Sequence, residues 1–88
     1  MIMSKKVNYI EYDGKKYPYR EVYHRNSGMN VLIGSGSLDR SLFDEDGDGY
    51  KSEYAMKIDE KFYGFVNDEV ILNMSDSDFE WYVNEMLD

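Results

Sequence analysis

The 88-residue sequence predicts an α+β fold: a small antiparallel β-meander or sheet of about four strands, with two or three helices packed on one face, in the order β-β-β-α-α-β-α. Two observations predict this class. The first third of the chain is rich in Tyr and Val and contains a strong hairpin-turn signal, which is typical of a meander. The remainder repeatedly places a Ser before apolar residues spaced three and four apart, which is typical of capped helices. We expect residues 1–88 to form a single compact acidic domain.

The first three predicted elements are strands. Residues 7–12 lead into Asp13-Gly14, a pair that favours a type I′ hairpin turn because both central residues of that turn need a positive φ. The return strand runs from residue 16 to about 24. Pro18 in it cannot donate a ladder hydrogen bond, which indicates either an edge strand or the start of a strand. After a second turn, residues 29–33 form the third strand.

The following segments have helical patterns. Ser37 can cap a short helix over residues 38–43. Ser52 can cap a second helix, in which Ala55, Ile58 and Phe62 share one face. Residues 61–66 predict a fourth strand.

The last segment predicts a helix capped by Ser75. Asp76 and Asp78 suit its first turn because the helix dipole favours negative charge there. The apolar stripe of this helix consists of Phe79, Tyr82, Val83, Met86 and Leu87. Trp81 lies opposite the stripe, so it either covers another element or is exposed, and an exposed Trp is a typical anchor at protein interfaces.

Charge is the most informative feature of the composition. Residues 1–36 carry six basic and three acidic side chains, whereas residues 37–88 carry four basic and fifteen acidic ones, which together give the net charge of −8. This distribution opposes direct binding of nucleic acid and steers the acidic part toward basic surfaces. A general role of the acidic excess in solubility is the alternative.

The sequence also limits where the protein acts. It has no Cys, which excludes disulfides and thiolate zinc sites and fits a reducing compartment. No apolar stretch follows the lysines at the N-terminus, so we expect no secretory signal. The aliphatic runs at 31–33 and 70–72 are too short to span a bilayer. We therefore expect a cytoplasmic protein without a membrane partner.

Few residues suit catalysis. The only His, His24, lies on a predicted strand beside Arg25, and Glu21 points to the other face, so a surface position is the expectation. The chain has no G-x-S-x-G or H-E-x-x-H motif. The Tyr and Lys residues interleaved along the first hairpin could stack bases, but the acidic remainder repels phosphates. We therefore expect a protein that is not an enzyme.

An acidic loop resembles the start of an EF-hand calcium loop. Asp44, Asp46 and Asp48 match positions 1, 3 and 5 of that loop, Gly49 matches the turn at 6, and Tyr50 could offer its carbonyl at 7. The match fails at position 12, where Ala55 replaces the bidentate Glu. We expect no cofactor, and calcium bound by Asp44, Asp46, Asp48 and Tyr50 is the alternative.

The centre of the chain also resembles small acidic uncharacterised proteins of gut bacteria and their phages or plasmids. The residues that carry the resemblance are Ser37-Leu38, Leu42 to Gly47, Tyr50, Ser52-Glu53, Ala55, Ile58 to Glu60 and Phe65-Val66. It contains no catalytic motif and implies a cellular setting only. In overall type, the chain is similar to phage-encoded acidic inhibitors that mimic nucleic acid.

Our leading hypothesis is a non-enzymatic binding protein, of the phage or mobile-element inhibitor type, whose carboxylates occupy the basic surface of a partner such as a nucleic-acid-binding enzyme. The calcium module is one alternative, and a small structural or oligomerising domain without a ligand is another. The predicted partner-binding residues are Asp44, Glu45, Asp46, Asp48, Glu53, Asp59, Glu60, Asp68, Glu69 and Trp81.

Overall fold

The computed structural model describes residues 6–42 and 52–87. Within these residues the chain forms four strands and four helices, in the order β-β-β-α-α-β-α-α. The elements are β1 (Asn8–Tyr12), β2 (Lys15–His24), β3 (Met29–Ser35), α1 (Gly36–Leu42), α2 (Glu53–Lys61), β4 (Phe62–Val66), α3 (Asp68–Asn73) and α4 (Asp76–Met86). The predicted α+β class is confirmed, and α3 is an additional helix.

The four strands form one mixed sheet in the order β1-β2-β3-β4. The three N-terminal strands pair antiparallel, as predicted, but β4 pairs parallel to β3. The prediction of a wholly antiparallel sheet is therefore wrong in its last strand. Parallel neighbours need a long crossover connection, and the segment containing α1 and α2 provides it.

Local signals place the hairpin and two of the helix starts correctly. Asp13 and Gly14 have φ of 55° and 80°, as the type I′ turn requires. The Ser52 hydroxyl accepts the N–H of Ala55 at 3.1 Å, and the Ser75 hydroxyl accepts the N–H of Asp78 at 3.3 Å. Both serines are therefore the helix caps that the sequence predicts.

Two other local predictions need correction. The predicted cap Ser37 lies inside α1, because β3 continues to Ser35, and it is the hydroxyl of Ser35 that accepts the Ser37 N–H at 3.1 Å. Pro18 lies in a central strand that starts three residues before it. Pairing between β2 and β3 begins only at Tyr19 and Gly34, so Pro18 has a strand neighbour on the β1 side alone. A residue without an N–H is tolerated there.

The core consists of two clusters on opposite faces of the sheet. Successive strand residues point to opposite faces, so Tyr17 and Val22 of β2 face opposite ways. The first cluster packs under α1 and α2 and contains Tyr17, Leu38, Ala55, Ile58 and Phe62. The second packs under α3 and α4 and contains Val22, Ile33, Val66, Ile71, Phe79 and Val83.

The prediction of helices on one face is therefore wrong. β2 has buried side chains on both faces, Tyr17 on one and Arg20 and Val22 on the other. A strand of this kind needs cover on both sides. The helix α3 provides part of the second cover, because Ile71 in its apolar run is fully buried.

Candidate binding surface

The side of α4 that faces the sheet is held by a buried arginine on β2. The guanidinium of Arg20 donates to the carbonyl oxygens of Ile71 at 3.0 Å and Met74 at 2.7 Å, and it pairs with the carboxylate of Asp76 at 2.5 Å. Its central carbon lies 4.4 Å from the centre of the Phe79 ring. Only 2% of Arg20 is exposed. Arg20 therefore fixes the end of α3 and the start of α4 against the sheet.

The second half of α4 is fixed by an asparagine. The side-chain amide of Asn84 accepts the backbone N–H of Arg25 at 2.9 Å and donates to the backbone carbonyl of Tyr23, also at 2.9 Å. The amide thus bonds to the backbone of β2 as a neighbouring strand would. It does so beyond the end of β1, because the last β1–β2 pair is Asn8 and Tyr19. Helix α4 is consequently held near both of its ends, and these contacts fix which of its sides faces away from the sheet.

The outer side of α4 carries an exposed aromatic ring between two carboxylates. Asp78, Trp81 and Glu85 follow one another at spacings of three and four, so they share one helix face. Trp81 is 55% exposed. Glu85 pairs with the exposed Arg25 at 3.3 Å. Within residues 6–42 and 52–87, neither the Asp78 carboxylate nor the Trp81 indole N–H has a hydrogen-bond or ion-pair partner.

Negative charge dominates this end of the sequence. Residues 62–88 contain seven acidic residues and no Lys or Arg. Among those with described side chains, Glu69 and Asp78 are exposed, whereas Asp68 is half-buried and accepts a hydrogen bond from the hydroxyl of Ser35. In the part of the chain that the structure describes, Arg20 of β2 pairs with Asp76, and Arg25 of the following turn pairs with Glu85.

The predicted partner-binding residues are only partly brought together. Glu53, Asp59 and Glu60 lie on α2, and Asp68 and Glu69 begin α3, so these five lie on helices that cover opposite faces of the sheet. Trp81 lies on α4, away from the core, and is exposed. The remaining predicted residues, Asp44, Glu45, Asp46, Asp48 and the alternative calcium ligand Tyr50, lie outside the described residues.

Sequence reasoning missed three residues that shape this surface. It considered Arg20 only as a basic residue of the hairpin that could stack bases, it gave no role to Asn84, and it treated Asp78 only as a favourable first-turn charge. The only signal for Arg20 is its place in the alternation Arg20, Val22, His24, which puts it on a buried face of β2. The partners of Arg20 lie 51 to 56 residues further along the chain, so no local pattern indicates them.

The expectation of a surface position for His24 is wrong. The residue is 5% exposed, because it lies on the same face of β2 as Val22. Its Nδ1 lies 2.8 Å from the hydroxyl of Ser27, and its ring centre lies 4.5 Å from that of Tyr63. Glu21 does point to the other face, as predicted, and is exposed.

A polar groove of about 420 Å³ lies at the start of β1, beside β2 and β3. It is lined by Lys6, Asn8, Glu21, Val22, Tyr23 and Asn30. The described residues contain no group of three His, Asp or Glu side chains that could hold a metal ion. No helix in the same part of the chain has the length and apolar character needed to cross a membrane.

Comparisons with models of known protein families, with curated proteins and with solved structures found no significant match.

Proposed function

We propose that this chain is a non-enzymatic binding protein whose acidic surface occupies a basic surface of a partner protein, such as the nucleic-acid-binding surface of an enzyme. The observation that carries the proposal is the charge of residues 62–88, which contain seven acidic residues and no basic one. A field of this sign attracts a basic surface over a distance and increases the rate of encounter.

The positions of the carboxylates support this function. Glu53, Glu60, Glu69 and Asp78 are exposed, and none of them has a side-chain partner among the described residues. A carboxylate that is already paired must give up that interaction when it binds a partner protein. These four carboxylates have no such interaction to lose. They are therefore available to form charge-assisted hydrogen bonds with Lys or Arg side chains.

Trp81 supports protein binding rather than general charge screening. Charge alone gives fast but weak association, and most interfaces obtain their affinity from a few large side chains that become fully buried. Trp81 is the only Trp of the chain and is 55% exposed. On α4 it lies next to acidic residues, so it can serve as an apolar anchor that is surrounded by negative charge.

A matched pair of charge variants tests the proposal. In the first variant, Glu69, Glu80 and Glu85 are replaced by Gln, which removes three of the seven negative charges of residues 62–88. In the second, Lys6, Lys15 and Lys16 are replaced by Gln, which removes three exposed positive charges. Wild type and both variants are immobilised and used to capture partners from a cell extract, and each captured protein is then purified and its association rate measured at several salt concentrations.

The two variants should change the association rate in opposite directions. The glutamate variant should associate more slowly and depend less on salt, and the lysine variant should associate faster, since salt screens attraction between exposed charges. Excess DNA should compete with the chain for the partner. If both variants behave as wild type, the proposal is wrong. If DNA does not compete, the basic surface that binds the chain is not the nucleic-acid-binding surface of the partner.

A further inference from the structure

Helix α4 contains the same carboxylate–aromatic spacing twice. Asp76 precedes Phe79 by three residues, and Asp78 precedes Trp81 by three residues. The first pair already holds a guanidinium, because Arg20 pairs with Asp76 at 2.5 Å and lies over Phe79 at 4.4 Å. The inner side of α4 therefore shows that a carboxylate and a ring at this spacing can contact one guanidinium, which there also donates to the carbonyl oxygens of Ile71 and Met74.

The second pair is displaced from the first by two residues, which corresponds to about 200° around a helix. It therefore faces away from the sheet. Asp78 is exposed, Trp81 is 55% exposed, and no described residue forms a hydrogen bond or ion pair with the side chain of either. The inner pair is filled by the chain itself, whereas the outer pair is open to a group from another molecule.

We propose that Asp78 and Trp81 form a receptor for an arginine side chain of the basic partner protein. The guanidinium stacks on the indole ring and donates hydrogen bonds to the carboxylate of Asp78, as Arg20 does with Phe79 and Asp76. This inference rests on the proposed function, since it assumes a basic partner, and it specifies the residue type that the partner contributes.

Arginine fits this pair better than lysine for two reasons. A planar guanidinium can stack on a ring and form hydrogen bonds in its own plane at the same time, which the ammonium group of Lys cannot do. Among aromatic rings, the indole of Trp attracts a cation most strongly. The outer pair therefore combines the favoured ring with a carboxylate at a spacing that already holds Arg20.

Glu85 adds a second carboxylate on the same face, four residues after Trp81. It pairs with the side chain of Arg25 at 3.3 Å, with both side chains about half exposed. An arginine from solution can thus contact Asp78 directly, whereas Glu85 already has a partner. For this reason Asp78 is the carboxylate to test.

Two synthetic peptides serve as probes. One is a capped peptide of alternating arginine and alanine, and the other replaces every arginine by lysine at the same length and charge. Each is titrated into the protein, and the emission of Trp81 is recorded, which is possible because the chain has only one Trp. We expect the arginine peptide to bind about two- to fivefold more tightly, as a surface cation–π contact implies, and to change the emission more at saturation.

Four variants test which residues bind the arginine peptide. The affinity of each variant is measured by the fluorescence anisotropy of a labelled peptide. Asp78→Asn and Trp81→Ala should abolish the preference for arginine over lysine, and Trp81→Phe should retain part of it. The control for Trp81 is Tyr9→Ala, which removes an aromatic side chain of nearly equal exposure, 56%, from β1. Circular dichroism checks that each variant keeps its helices. If Asp78→Asn does not fold, the Trp81 and Tyr9 variants still decide the question.

The outcomes separate this inference from the proposed function. Equal affinity for the two peptides, or equal losses in Trp81→Ala and Tyr9→Ala, would overturn the arginine receptor but leave charge-driven binding intact. Binding of neither peptide at low salt would contradict the proposed function itself. A preference for arginine that persists in Trp81→Ala would place the receptor elsewhere and overturn the inference.

Discussion

Replacement of Arg20 by Met should destabilise the fold by about 3 kcal/mol. The change removes two hydrogen bonds from a charged donor to backbone carbonyls, each worth about 1.5–3 kcal/mol, and the contact with the Phe79 ring. The ion pair with Asp76 adds less than a buried pair would, because that carboxylate is 46% exposed. Met has a flexible apolar side chain that recovers part of the packing on Phe79, which lowers the total.

Urea denaturation followed by far-UV circular dichroism measures this loss. The free energy of unfolding falls linearly with urea at about 1 kcal/mol per molar for a small domain, so the midpoint should fall by about 3 M. The matched control is Arg25→Met, because its guanidinium is half exposed and, among the described residues, pairs with Glu85 alone, at 3.3 Å. That variant should lose at most about 1 kcal/mol, as exposed ion pairs do.

The difference between the urea midpoints of the two variants tests whether Arg20 holds α3 and α4 on the sheet. If Arg20→Met and Arg25→Met lower the midpoint equally, the buried guanidinium does not hold α3 and α4 on the sheet. A fall in the slope together with the midpoint would mean instead that α3 and α4 have already separated from the sheet in the folded variant, so that less surface is exposed on unfolding.

Three further predictions concern other parts of the molecule. Asn84→Ala should cost about 1–2 kcal/mol and speed hydrogen exchange at the amide of Arg25, measured by NMR, because that N–H loses its acceptor; unchanged exchange would refute the contact. Ser75→Ala should lower the unfolding free energy by about 1 kcal/mol in urea, since the cap of α4 is lost, whereas the nearby exposed Ser77→Ala should change it little. Thermal melts in chelator and in excess calcium should nearly coincide; a rise of many degrees with calcium but not magnesium would support the EF-hand-like loop instead.

The parts of the fold that the sequence predicts are those with local causes. Asp13-Gly14 specifies its turn through backbone conformation, and Ser52 and Ser75 specify helix starts through a hydroxyl that reaches only three residues ahead. The last helix follows from the spacing of Phe79 and Val83, both buried as predicted, whereas Met86 of the predicted stripe is 62% exposed. Each of these causes acts within a few residues, so the sequence alone is sufficient to predict the turn and these helices.

Most of the missed features have distant causes. The apolar run around Ile71 is too short to distinguish a strand from a helix by its pattern. Asn67, which caps α3, is a local signal, but the burial of Ile71 depends on the second cluster. The parallel direction of β4 depends on where α1 and α2 pack. In the binding surface, helical periodicity placed Trp81 opposite the core stripe, but the open Asp78–Trp81 pair became apparent only through its likeness to the pair that holds Arg20.

The separation between Arg20 and its partners affects the order in which the molecule folds. The β1–β2 and β2–β3 hairpins join residues that are close in the sequence, so they can form early. The groups that bind Arg20 are 51 to 56 residues away, and closing so long a loop has an entropy cost that must be met before the contacts form. The early sheet therefore keeps this guanidinium in water until α3 and α4 arrive. Burial of Arg20 therefore cannot be completed until residues 71–76 have been synthesised.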